Sequence, residues 1–175
     1  MNYNKTLTPE TRVLPVNNIN SYLYMSLFLI LAVALPSVCH LLKLPVRYIL
    51  PMHWTVILAG LVYGWRGGFV SGFLSPLISF LITGMPYPAA LLPMTAELSV
   101  YGASSGFLRE KLNLNSFASV AIALIFGRAV YLLIYFMLSS GIGYSEYLFT
   151  SMVPGLAGGI MQIVLLPLAA KLWIK

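Results

Sequence analysis

Apolar residues run in long blocks along this chain, and polar residues gather in the short gaps between them. Ser21 to Leu42 is an apolar run of about 22 residues, and a helix needs about 20 to cross a hydrocarbon core. It reads as span one, with Pro36 marking a kink or an early end. Lys43-Leu44-Pro45-Val46-Arg47 then breaks the pattern. Pro51 suits the first turn of a helix, and Met52 to Trp65 follows as a short span two. Arg66-Gly67-Gly68 reads as a tight turn before span three, Phe69 to Gly84. In span three Ser71, Gly72, Ser75 and Ser79 are small enough to let helices approach closely. A proline-rich connector over residues 85–93 leads to span four, Met94 to Leu108, which ends in the polar turn of Arg109, Glu110, Lys111, Asn113 and Asn115. Span five runs from Ser116 to about Ser140, Gly141 to Glu146 is a loop, and span six covers Tyr147 to Trp173 around Pro154, Gly155, Gly158 and Gly159.

The pattern predicts an all-α integral membrane protein, a six-transmembrane-helix bundle with short loops. Residues 1–20 form a short polar tail, solvent-facing or interfacial, and residues 21–175 the membrane domain. The tail does not run into a short apolar stretch with a small-residue cleavage site, so it is not read as a secretory signal. Spans two, three and four are short for about 30 Å of hydrocarbon. They are expected to tilt or to border a cavity, where irregular backbone is tolerated.

Composition agrees: 59% of the residues are hydrophobic and 8% charged, against about 25% charged in soluble domains. Cys39 is the one cysteine and Asp is absent, which removes disulfide frameworks, cysteine metal sites and most carboxylate metal cages. The net charge of +6 does not point to nucleic acid, because the basic residues are scattered singly at the ends of apolar runs. Their placement sets orientation instead. With the N-terminus inside, Lys5, Arg12, Arg66, Arg109, Lys111, Lys171 and Lys175 lie inside, and Lys43 and Arg47 outside. Both termini are therefore expected in the cytoplasm, with residues 43–51, 85–93 and 141–146 facing out.

Two charges fall within spans, where charge is costly and functional by default. Arg128 is about twelve residues into span five, and Glu97 is three residues into span four, near its outer end. Two readings stand: both anchor a ligand, or they form a structural ion pair between helices. Helical spacing adds Tyr101, Ser105 and Met94 to the Glu97 face, and Tyr131 and Tyr135 to the Arg128 face. These tyrosines suit a planar ligand with polar edges; the alternative is an interfacial aromatic belt, the natural reading for Tyr144 and Tyr147. His53, at the start of span two, is either a ligand donor or a solvated helix-end residue. Gln162, deep in span six, either reaches a ligand or joins two helices. His40 reads as interfacial.

No nucleophile–base pair, HExxH or phosphate-binding loop is present, so neither an enzyme nor a cofactor is expected. Leu50-Pro-Met-His-Trp54, the Gly64–Gly84 stretch and the Leu92–Gly106 stretch resemble the substrate-binding S components of energy-coupling factor (ECF) vitamin transporters, over roughly residues 21–173. The resemblance implies a high-affinity subunit that captures a vitamin or related micronutrient from outside. It also implies docking on a transmembrane T component driven by two cytoplasmic ATPases, and a toppling motion as the transport step. The substrate site would lie beneath residues 43–51 and 85–93, with 85–93 as a lid. The Ala-x-x-x-Ala docking pattern on the first helix is absent; Ser26, Ala32, Ala34 and Ser37 are the small residues there. Glu97, Arg128, the tyrosines and His53 suit a small molecule with a polar ring or a carboxylate, and Arg128 would favour a carboxylate or a phosphate. The competing reading is a stand-alone six-helix channel or transporter. Polar rows on spans four and five alone, and the lack of internal repeats, speak against it.

Overall fold

The computed structural model describes residues 13–16, 19–138 and 152–174. Regular structure among them is helical throughout: α1 (Ile19–Leu41), α2 (Val46–Ile49), α3 (Pro51–Thr83), α4 (Pro88–Glu110), α5 (Ser116–Leu138) and α6 (Val153–Trp173). Four helical stretches are long and apolar enough to cross a membrane: Ile19–Leu41, Val46–Thr83, Ser116–Leu138 and Val153–Trp173. Their outward faces carry Leu81, Ile82, Ile125, Leu133 and Met137, all exposed, as lipid-facing surfaces require.

The predicted spans two and three form one helical run that folds back on itself. The reversal is at Gly64 (φ 73°, ψ −173°), a backbone conformation essentially reserved for glycine. The first half runs alongside α4: His53 lies near Glu97, and Leu61 O accepts from Arg109. The second half runs opposite to α4, with Gly72 against Leu98, Gly68 against Gly102 and Gly64 against Gly106. The turn expected at Arg66-Gly67-Gly68 is therefore misplaced. Gly67 and Gly68 are helical, and Gly68 is the point where the backbone meets Gly102. Small residues make this approach feasible, and Ser71, Ser75 and Ser79 are buried in it.

Other boundaries also shift. Pro36 neither ends nor shortens α1, which continues to Leu41. The connector expected over residues 85–93 shrinks, because Pro88 starts α4, where its missing N–H costs nothing. The peptide bond between Met85 and Pro86 is cis. α5 stops at Leu138. The predicted loop Gly141 to Glu146 and the start of span six at Tyr147 lie outside the described residues. Part of the tail is not free in solvent: Leu14 N donates to Val62 O (2.7 Å), and Leu14 and Val16 pack against the core.

The core lies along the α3 hairpin, with Val56, Ile57, Leu61, Leu98 and Val120 fully buried beside Phe28 and Leu166. Two ends of the bundle follow from chain direction. One gathers the end of α1, α2, both ends of α3 and the start of α4; the other holds Gly64, Arg109 and the end of α6.

Candidate functional site

In α4, Glu97, Tyr101, Ser105 and Arg109 recur every four residues, and all four are buried. Four-residue spacing keeps a helix face in line, so α4 presents a polar stripe to the bundle interior. Glu97 lies nine residues after Pro88, nearer the middle of α4 than its first residue. It is 2% exposed, and a buried carboxylate needs partners. Glu97 Oε1 accepts from the Tyr101 hydroxyl at 2.6 Å, one turn along. Arg128 Nε of α5 lies 3.3 Å from the same oxygen, and His53 Nε2 lies 3.8 Å from Oε2. The His53 and Tyr101 rings are 5.2 Å apart. The Arg128 guanidinium sits 5.5 Å from the Tyr131 ring centroid, and Tyr131 stacks on Tyr135 at 5.8 Å.

Beside this cluster lies a cavity of about 800 Å³. Its wall comes from α1 (Pro36, His40), α2 (Arg47), both ends of α3 (His53, Ser79), the connector (Met85 to Tyr87), α4 (Ala90, Met94) and Tyr131 of α5. Pockets for small molecules commonly measure about 300–1,000 Å³, mostly apolar with a few polar groups. The corner between α2 and α3 is pinned by Leu50, which holds a left-handed conformation (φ 51°, ψ 54°), and by Trp54 Nε1 donating to Ile49 O at 2.7 Å. A second cavity, of about 400 Å³, opens between α5 and α6 and is bordered by Tyr101, Arg128, Gly155 and Ile160. Leu50 borders both.

The sequence-selected residues thus divide. His53, Met94 and Tyr131 border the large cavity, and Arg128 and Tyr101 border the small one. Glu97 links the two groups from behind His53. Tyr135 joins through its stack on Tyr131. Gln162 is fully buried, its amide without a hydrogen-bond partner among the described residues, and borders neither cavity. Sequence reasoning missed Arg47, Ser79 and Thr83 as wall residues, and gave His40 only an interfacial place. The signal available was the resemblance, which put the site beneath residues 43–51 and 85–93 without naming these side chains. Arg109, counted above as a charge in a polar turn, is fully buried and donates to Leu61 O at 2.7 Å. It satisfies a carbonyl left over where the first half of α3 ends. Charges in turns are normally solvated, and only the fold-back at Gly64 brings that carbonyl within reach. Among the described residues no group of three or more His, Cys, Asp or Glu is placed to hold a metal.

The family model described as "ECF transporter, substrate-specific component" matches residues 21–172. No curated protein and no solved structure matches the chain.

Proposed function

The chain belongs to the substrate-specific components of ECF transporters, multi-pass membrane proteins, and on that premise we propose that it captures a vitamin or related micronutrient in the cavity of about 800 Å³. The observation that carries this reading is the cavity's construction. Segments from α1 through α5 converge on it, and buried His53 stands in its wall. Six membrane crossings, two of them supplied by the folded α3, would make the bundle. The cavity would face outward at the cell membrane with both termini in the cytoplasm, as the basic residues favour. α2 and the connector before Pro88 would roof it.

In this reading His53, Met94 and Tyr131 touch the ligand, and Glu97, Arg128, Tyr101 and Tyr135 are the polar floor that holds them. Gln162 supports the floor from α6. The chain carries no phosphate-binding loop, so energy for release would come from a T component and two ATPase subunits. A stand-alone channel would need a polar path from end to end, and the wall of this cavity comes from one end of the bundle. The test is mass spectrometry of small molecules released from gently purified protein. A stoichiometric micronutrient is expected. An empty protein that binds none when offered a panel of vitamins would end the proposal.

A further inference from the structure

We infer that the smaller cavity, of about 400 Å³, seats one acyl chain of a membrane lipid, which enters sideways from the bilayer between α5 and α6. The inference does not depend on what the large cavity holds. It needs only that α5 and α6 lie in the membrane, as their length and apolar character allow.

Depth selects hydrocarbon as the occupant. Along α5 the groove runs from Ala121 to Leu132, inside the 23 residues of Ser116–Leu138. At 1.5 Å per residue its limits stand about 8 Å in from the helix ends, within the hydrocarbon layer rather than among headgroups. Ile125 on one rim and Leu156 and Ile160 on the other are exposed, so the groove opens toward lipid. Among its described lining residues only Tyr101 and Arg128 carry polar side chains. Both engage Glu97: Tyr101 donates its hydroxyl at 2.6 Å, and Arg128 Nε lies at 3.3 Å. Apolar hollows exclude water and take up hydrocarbon instead, and acyl chains are the hydrocarbon at this depth.

A second, independent observation is where α6 withholds side chains. Packing requires glycine at Gly158, since a Cβ there would collide with Tyr48 O. It does not require glycine at the two positions that border the groove. Among the described residues a Cβ on Gly155 would meet Arg128 Nη2 at 3.6 Å and Leu50 Cδ1 at 3.8 Å, and one on Gly159 would meet Leu124 Cδ1 at 3.8 Å. These are ordinary contacts. Glycine weakens a helix interior, and what Gly155 and Gly159 supply in return is the open side of this groove.

The test is photolabelling of the full chain in phosphatidylcholine vesicles that contain phosphatidylcholine with a diazirine midway along one acyl chain. Mass spectrometry of peptides reads which residues are labelled. Leu124 and Ile163 line the deep half of the groove, whereas Leu133 is exposed outside it and serves as the reference. All three are expected to be labelled in the wild-type protein. Gly159→Leu puts a side chain into the groove and should lower labelling of Leu124 and Ile163 roughly tenfold while leaving Leu133 unchanged. Thermal unfolding checks that the variant folds, and Ala129→Leu, which narrows the groove from α5, replaces it if it does not. Wild-type labelling confined to Leu133, or undiminished labelling of Leu124 and Ile163 in the folded variant, would overturn the inference. So would loss of their labelling when a panel of vitamins is added, because the groove would then belong to the substrate.

Discussion

Arg128 Nε of α5 lies 3.3 Å from Glu97 Oε1 of α4, and both residues sit near the middle of their helices. The pair joins two elements across the interior, in surroundings where neither charge is affordable alone. Arg128→Met should therefore destabilise the protein by about 3–5 kcal/mol, the cost of stranding a buried charge. Adding Glu97→Gln should recover much of that loss. A double-mutant cycle on thermal unfolding in detergent checks both statements, and additive losses would show that the pair is not coupled.

Filling the chamber should separate folding from binding. Ala90 is 6% exposed and borders the large cavity. Ala90→Phe is expected to lower affinity for the co-purifying ligand at least tenfold, with the unfolding temperature of the ligand-free protein held or raised. Calorimetry and thermal unfolding on the same preparation measure the two effects.

Glycines at two positions should behave differently. A Cβ on Gly102 would collide with the backbone of Gly68, whereas a Cβ on Gly84 meets nothing within 4 Å. Gly84→Ala then costs only its left-handed backbone (φ 73°), about 1–2 kcal/mol. Gly102→Ala must push two helices apart, and overpacking of this kind costs about 1–3 kcal/mol or more. Denaturation of the two variants side by side should rank Gly102→Ala as the more damaging.

Arg109→Met should loosen the hairpin end rather than the chamber. It strands Leu61 O, which now accepts from Arg109 at 2.7 Å, and a buried unsatisfied carbonyl costs about 1–3 kcal/mol. Hydrogen exchange is expected to rise around residues 58–66, while ligand affinity stays within about twofold.

Much of this was legible beforehand because lipid imposes simple rules. The helices over Ile19–Leu41 and Ser116–Leu138 were within reach of apolar length and polar gaps, to within a few residues, whereas α4 starts at Pro88, six residues before the expected Met94. The meeting of Glu97, Tyr101 and Arg128 was available from four-residue spacing and from the scarcity of charge. The turn in α3 was not, since Gly64, Gly67 and Gly68 all look like turn residues and only tertiary packing chooses among them. The resemblance put the site beneath residues 43–51, but nothing in that stretch singled out Arg47 as a wall residue. Its neighbours there, Pro36, Ser79 and Tyr87, are distant in sequence, and a short basic linker has no periodicity to exploit.

The contact of Gly68 and Gly72 with α4 is backbone on backbone, with no side chains between that could rearrange. Those three helical segments behave as a keel that cannot flex. Any widening that admits a molecule is therefore expected in the strap from Leu41 to Leu50 and in α1, α5 and α6 rather than between these segments.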